Sequence, residues 1–196
     1  MVAAAEPERN KPEVKEKNVT IQLKLGVKEL DLERLVRTVG NGEYNPSRFS
    51  CAVLRMGVPR CVALVFTNGT VLISGTPNTQ QAREGARRFV RIFQKTGFAG
   101  PHVDPPVCKG STGTCHVGFN INIIQLAVEN PALANYDMEI CSGLICRLRT
   151  FKVKAIVFAD GKVVLHGSSS HDGVQQAFDQ LWPVLLQYRK RPRQLK

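Results

Sequence analysis

The chain repeats itself. Sliding its 196 residues by 92 sets Tyr44 on Tyr136, Ser50 on Ser142, Arg55 on Arg147, Ala63 on Ala155, Val65 on Val157, Phe66 on Phe158, Gly69 on Gly161, Val71 on Val163 and Gly75 on Gly167 without a gap. The matches cluster at turn glycines and alternating strand residues, the positions that a shared backbone constrains. Solenoid repeats run about 20–50 residues, so this longer period predicts a duplicated domain. Two such copies should pack with quasi-twofold symmetry.

Periodicity predicts the order β-α-β-β-β-α in each copy. Val19, Ile21, Leu23 and Leu25 alternate with Thr20, Gln22 and Lys24, as in a half-buried strand. Leu30, Leu32, Leu35, Val36 and Val39 then recur at helical spacing until Gly40 stops the run. Strands are expected over 49–56, 61–66 and 71–74, separated by turns at Gly57-Val-Pro and Thr67-Asn-Gly. Helices over 79–96 and 172–188 close the two copies. The first has an apolar face of Ala82, Ala86, Phe89, Val90 and Phe93, and a four-spaced basic stripe of Arg83, Arg87, Arg91 and Lys95. Residues 1–17 are charged and aperiodic, so a disordered arm is expected there. The repeats then occupy 18–100 and 110–190, with a proline-rich linker or strand over 101–109 and a basic tail over 191–196. Three prolines in the joining segment cannot all donate to a ladder, so a strand there must shorten or run at an edge.

Hairpin register decides which residues share a face. A three-residue loop Thr67-Asn68-Gly69, with glycine in the left-handed position, sets Leu64 opposite Leu72 and Val62 opposite Ser74. One face then carries Val62, Leu64, Phe66, Leu72 and Ser74, and the other Ala63, Val65, Val71 and Ile73. The closing helix can cover only the second. The same register around Ala159-Asp160-Gly161 leaves Ile156, Phe158, Val164 and His166 open in the second copy. An apolar sheet face of that size marks a binding surface or the seam between the copies.

Charge narrows the partner. The chain has 27 Lys+Arg against 16 Asp+Glu, a net charge of +11. With 43% hydrophobic and 22% charged residues it is globular, and the excess favours nucleic acid or an anionic membrane. No stretch approaches the roughly 20 apolar residues of a spanning helix, and the N-terminus lacks the apolar core of a secretory signal. A soluble intracellular protein without a membrane partner is expected. The six cysteines form no Cys-x-x-Cys. Cys108, Cys115 and His116 with Cys141 and Cys146 do not make the paired spacing of a zinc site, and a thiol nucleophile would need a base that the sequence does not place. No paired-carboxylate or Ser/His/Asp set can be defended among residues such as Asp31, Glu33, Asp137 and Glu139. The expectation is no cofactor, no metal, no small-molecule ligand and no enzymatic activity.

Tyr44-Asn45-Pro46, Arg48-Phe49, Pro59-Arg60, Ala63-Leu64-Val65-Phe66, Gln94-Lys95-Thr96-Gly97-Phe98, Gly143-Leu144-Ile145, the run from Phe158 to Val164, and Ala177-Phe178 with Trp182-Pro183-Val184-Leu185 resemble the TATA-box-binding protein core, in order and over roughly 18–190. The resemblance implies an α+β saddle built from the duplicated unit. Its curved antiparallel sheet would lie with the concave face on the DNA minor groove, and its helices on the convex side. In such a fold each half wedges two phenylalanines between base steps, at a cost of a few kcal/mol of unstacking per step. Phe49 and Phe66 match the first pair. Phe158 matches one of the second, whose mate falls on Cys141.

The resemblance also implies groove contacts from Asn18, Thr20, Leu64, Leu72, Ser74, Thr112, Ile156, Val164 and His166, with Gly110 where the family has a second asparagine. Arg48, Arg55 and Arg60 match phosphate contacts in the first half, and Arg147 and Lys152 stand 92 residues on from the last two of these. Asp137, Glu139 and Ile140 match the stirrup that receives TFIIB, and the stripe on residues 79–96 resembles the surface used by TFIIA. The chain thus looks like a diverged TBP-related initiation factor, nuclear, that binds and bends promoter DNA with relaxed TATA specificity and nucleates preinitiation-complex assembly. Its missing wedge resembles factors that serve small-RNA genes, which adds a small-RNA-gene activating complex to the partners. The alternative is a TBP-like protein-interaction scaffold, recruited to promoters mainly by partners and binding DNA weakly. TBP-like modules also occur in some repair and ribonuclease proteins, but the duplicate consumes nearly all of this chain.

Overall fold

The computed structural model describes residues 11–190. The fold is α+β, in two compact units. The first spans Lys17–Gly110; the second joins the chain from Ser111 onward to the segment ending at Glu16. In chain order the elements are β1 (Lys15–Lys24), α1 (Leu32–Val39), β2 (Gly42–Glu43), β3 (Cys51–Met56), β4 (Cys61–Phe66), β5 (Thr70–Thr76) and α2 (Thr79–Lys95). The pattern then recurs as β6 (Val107–His116), α3 (Ile123–Glu129), β7 (Ala134–Asn135), β8 (Leu144–Leu148), β9 (Val153–Val157), β10 (Lys162–His166) and α4 (His171–Gln187), with a 3-10 turn at Arg149–Phe151. The order is therefore β-α-β-β-β-β-α. The two-residue strands β2 and β7 are too short to leave a periodic signal.

In the first unit the antiparallel strand order is β2-β3-β4-β5-β1, and in the second it is β6-β10-β9-β8-β7. Val62 pairs with Ser74 and Leu64 with Leu72, the register set by a three-residue loop. Gly69 sits at φ 73°, where a side chain would be strained, and its N–H donates to the Phe66 carbonyl at 3.0 Å. The same register recurs in the second unit, with Val164 opposite Ile156 and Leu165 opposite Ala155.

Burial follows the faces. Ala63, Val65, Val71 and Ile73 are buried against α2, whose Phe89 and Phe93 rings stack at 6.2 Å. Ala155, Val157, Val163 and Leu165 are buried against α4, with Phe178 and Trp182. Residues on the opposite face of each sheet stay open.

Two boundaries need correction. Residues 11–17 are not a disordered arm: Lys15–Lys17 already belong to β1, Val14 is buried in the second unit's core, and its N–H donates to Gln175 Oε1 at 3.0 Å. Lys11 meets Asp179 at 3.1 Å. Only residues 1–10 of that expected arm lie outside the described residues, as do 191–196 of the basic tail. β3 starts at Cys51, leaving Phe49 in the preceding loop, because the amides of Arg48 and Phe49 both turn back to the Asn45 carbonyl at 3.0 and 2.9 Å. The joining segment shortens its strand. Pro101, Pro105 and Pro106 all precede β6, and the segment is held to the end of β1 by Gly100 N to Leu25 O (2.7 Å) and Asp104 N to Lys24 O (3.1 Å). Gly26 allows that approach, since a Cβ there would strike the His102 carbonyl.

Candidate nucleic-acid interface

On the first unit's open face, Val62, Leu64 and Phe66 of β4 and Leu72 and Ser74 of β5 are all half-buried, while their alternating neighbours are buried. Asn18 and Thr20 of β1 are half-buried beside them. The Asn18 amide oxygen accepts the Gly75 N–H at 2.8 Å, which leaves the N–H₂ group to donate outward. Phe49 is 59% exposed at the rim of a cleft of about 520 Å³ that also brings together Tyr44, Arg48 and Arg55. Arg48, Arg55 and Arg60 are exposed. Arg55 is engaged by Glu43 at 3.2 Å, both side chains open to solvent, and Arg60 ends the turn that Arg88 holds through the Val58 carbonyl at 2.7 Å.

The second unit's open face has the same plan and different chemistry. Ile156, Phe158 and Val164 are half-buried, and Lys162 Nζ lies 5.8 Å from the Phe158 ring centre. Where Phe49 has its counterpart, the Cys141 thiol accepts the Gly143 N–H at 3.4 Å. Thr112 and His166, opposite each other on β6 and β10, are joined at 2.8 Å through His166 Nδ1. Gly110, in the first unit, has open space where a side chain would stand. Arg147 and Lys152 are exposed, Lys152 with a left-handed backbone (φ 54°) in the turn before β9. Lys154 shares this open face and was missed by motif matching, although the 92-residue offset sets it on Val62.

Asp137, Glu139 and Ile140 form one exposed turn. Asp137 Oδ1 accepts the Glu139 N–H at 3.0 Å, and its carbonyl accepts the amides of Ile140 and Cys141. Ile140 and Met138 are 75% and 70% exposed, two apolar side chains alternating with the two acids. On α2, Arg83, Arg87, Arg91 and Lys95 are exposed as a stripe.

A family model described as "Transcription factor TFIID (or TATA-binding protein, TBP)" matches residues 13–96 and again 106–188, one match for each half of the duplication. The chain belongs to the TATA-binding protein family. A TATA-box-binding protein of Acetabularia peniculus is 34% identical over 174 residues, covering 89% of this chain and 90% of the relative. That of Saccharomyces cerevisiae is 33% identical over 173 residues, 88% of this chain and 71% of the relative. The solved structure of Methanococcus jannaschii TBP matches with a TM-score of 0.78 and 26% identity, over 90% of this chain and 99% of that one. The first family match begins at residue 13, inside the segment that composition alone reads as an arm.

The family is one of non-enzymatic transcription factors, and the polar groups of this TATA-binding protein relative have structural employment. Asp31 caps α1 by accepting the Arg34 N–H at 2.9 Å, and Glu33 pairs with Arg37 at 3.0 Å. All six cysteines are free thiols. Burial pushes Cys115 and Cys146 up to about 12, and raises Cys61 as well, partly offset by Arg88. Such thiols are not nucleophiles at neutral pH. Among the described residues no three His, Cys, Asp or Glu side chains gather as a metal site, and no helix is long and apolar enough to cross a membrane.

Proposed function

We propose that the chain is a nuclear general initiation factor that binds promoter DNA through the minor groove, bends it, and nucleates a preinitiation complex with relaxed TATA selectivity. The observation that carries this reading is the pair of open sheet faces: in each unit a half-buried apolar row carrying a phenylalanine runs beside exposed cations. Apolar side chains with aromatic wedges suit a widened minor groove, and flanking cations suit phosphates. Phe49, Phe66 and Phe158 are the wedges. Leu64, Leu72, Ile156 and Val164 line the groove floor, with Asn18, Thr20, Ser74, Thr112 and His166 at its polar positions. Arg48, Arg55, Arg60, Arg147 and Lys152 meet the backbone. The free N–H₂ of Asn18 suits A·T pairs, which present only acceptors in the minor groove.

Selectivity relaxes because the second unit lacks a wedge at Cys141 and the matching amide is absent at Gly110. The exposed Asp137-Met138-Glu139-Ile140 turn is the docking site for a TFIIB-like factor, and the α2 stripe that for a TFIIA-like one. A small-RNA-gene complex is a further partner class. The test is DNA bending by energy transfer on A·T-rich and G·C-rich duplexes, with the full chain and with Cys141→Phe combined with Gly110→Asn. Binding with a bend is expected, with modest discrimination in the wild type that grows roughly tenfold in the double variant, worth about 1.4 kcal/mol. Gly110→Asn meets no steric obstacle. Tight wild-type selectivity unchanged by the double variant overturns the relaxed reading, and binding to neither duplex overturns the function.

A further inference from the structure

The outermost row of each open face can be followed strand by strand. In the first unit it runs Arg55, Val62, Ser74. In the second it runs Arg147, Lys154, His166, Thr112. Directly opposed residues have Cβ atoms about 4.5–5.5 Å apart, so Arg147 and Lys154 are two cations side by side on one surface, and both are exposed. The first unit neutralises its single arginine with Glu43 of β2 at 3.2 Å. The residue 92 positions on from Glu43 is Asn135 of β7, which carries no charge. Among the described residues neither Arg147 nor Lys154 has an ion-pair partner. Like charges placed directly opposite each other destabilise a sheet. A local rule broken with nothing inside the fold to offset it is characteristic of functional positions.

We propose that Arg147 and Lys154 together hold one backbone phosphate of the bound DNA, with His166 closing the row on its groove side. With Nδ1 engaged by Thr112, His166 has Nε2 left to face the nucleic acid. The second unit then grips the DNA backbone with two cations at a row where the first unit offers a valine and one arginine, Arg55, whose charge Glu43 partly offsets. This assignment rests on the DNA-binding function proposed above. It gives the weakly wedged half an electrostatic and sequence-independent hold in place of intercalation. Lys154 is the residue that distinguishes the two rows.

Three single variants of the full chain test it, each titrated with salt against a labelled duplex. Each neutralised phosphate contributes about −0.9 to the slope of log K against log salt. Lys154→Val, which installs the residue of the first unit and leaves that phosphate to Arg147 alone, should make the slope shallower by part of that about 0.9. Asn135→Glu, which supplies Arg147 with the acid that Arg55 has, should do so by a similar amount. Glu43→Gln, which frees Arg55, should steepen it. Thermal melts should show none of the three unfolded at the assay temperature, since all the altered side chains are exposed, and Lys154→Val and Asn135→Glu should melt at or slightly above the wild type as the repulsion at Arg147 is relieved. Wild-type binding with slopes unchanged in both Lys154→Val and Asn135→Glu overturns the row as a phosphate site and leaves the DNA-binding function intact. A wild type that binds no duplex at low salt overturns both.

Discussion

The two units have diverged on one face and not on the other. The buried rows are identical at three positions, Ala63 with Ala155, Val65 with Val157 and Val71 with Val163, and all six residues are fully buried. The open rows keep Phe66 with Phe158 and Arg55 with Arg147 but differ at four paired positions: Val62 with Lys154, Leu64 with Ile156, Leu72 with Val164, Ser74 with His166. Close packing explains the first observation, because a core position against a helix feels a change of one methylene. An open position has no such neighbour, so its chemistry is free to follow a ligand. The lesson is that a duplicated scaffold can keep one architecture while its halves diverge in chemistry; in the function proposed above, the first half would intercalate with Phe49 and Phe66 while the second would keep one wedge, Phe158, and add charge.

The sharpest way to break that comparison is to remove wedges. Phe66→Ala should weaken DNA binding by roughly 100-fold and reduce the bend, since a step costs a few kcal/mol to open and its wedge must supply that. Phe158→Ala, with no phenylalanine at Cys141 beside it, should cost nearer tenfold. Equal losses in a fluorescence binding assay would show that the halves intercalate equally.

Stability offers a second contrast. Val14 is 1% exposed in the second unit's core, where it leaves no room for a Cβ on Gly113. Val14→Asp should destabilise that unit by about 3 kcal/mol through a buried, unpaired carboxylate and lost packing. The single tryptophan, Trp182, lies in the second unit's core and reports its unfolding. Hydrogen exchange in α2 should change far less than in α4.

The smallest effect is expected at alkaline pH. Cys115 and Cys146, both in the second unit, are raised from 9.0 to about 12 by burial. A thiol held neutral in the folded state contributes stability that is fully present below about pH 9 and is lost as the pH rises toward 12. Cys61 in the first unit is raised too, but Arg88 acts against it. The second unit should therefore loosen first, as a shift in the Trp182 emission preceding exchange of the α2 amides.

Much of this contrast is legible from particular residues. Thr67-Asn68-Gly69 and its counterpart at Gly161 specify the hairpin register, and register alone sorts Leu64, Leu72, Ile156 and Val164 onto the open faces. The duplication places Cys141 where Phe49 should recur and Lys154 where Val62 should. Other features leave no local trace. The hydrogen bond from Val14 to Gln175 joins residues 161 positions apart, and eight charged residues among the first seventeen mask it as a tail. Glu43 and Arg55 are 12 positions apart, on a two-residue strand that has no period to detect.

By itself, then, the sequence determined the repeat, the alternation of faces, the turn glycines and the excess of positive charge, because those follow from backbone geometry and composition over short spans. Tertiary structure decided which charges are neutralised and which stand open. It gives Arg55 an acid and leaves Arg147 beside Lys154, and it takes Val14 into a core far from it in sequence. Side-chain pairing and burial depend on residues that only the folded chain brings together, and that is why the two faces, alike in pattern, differ in what they can hold.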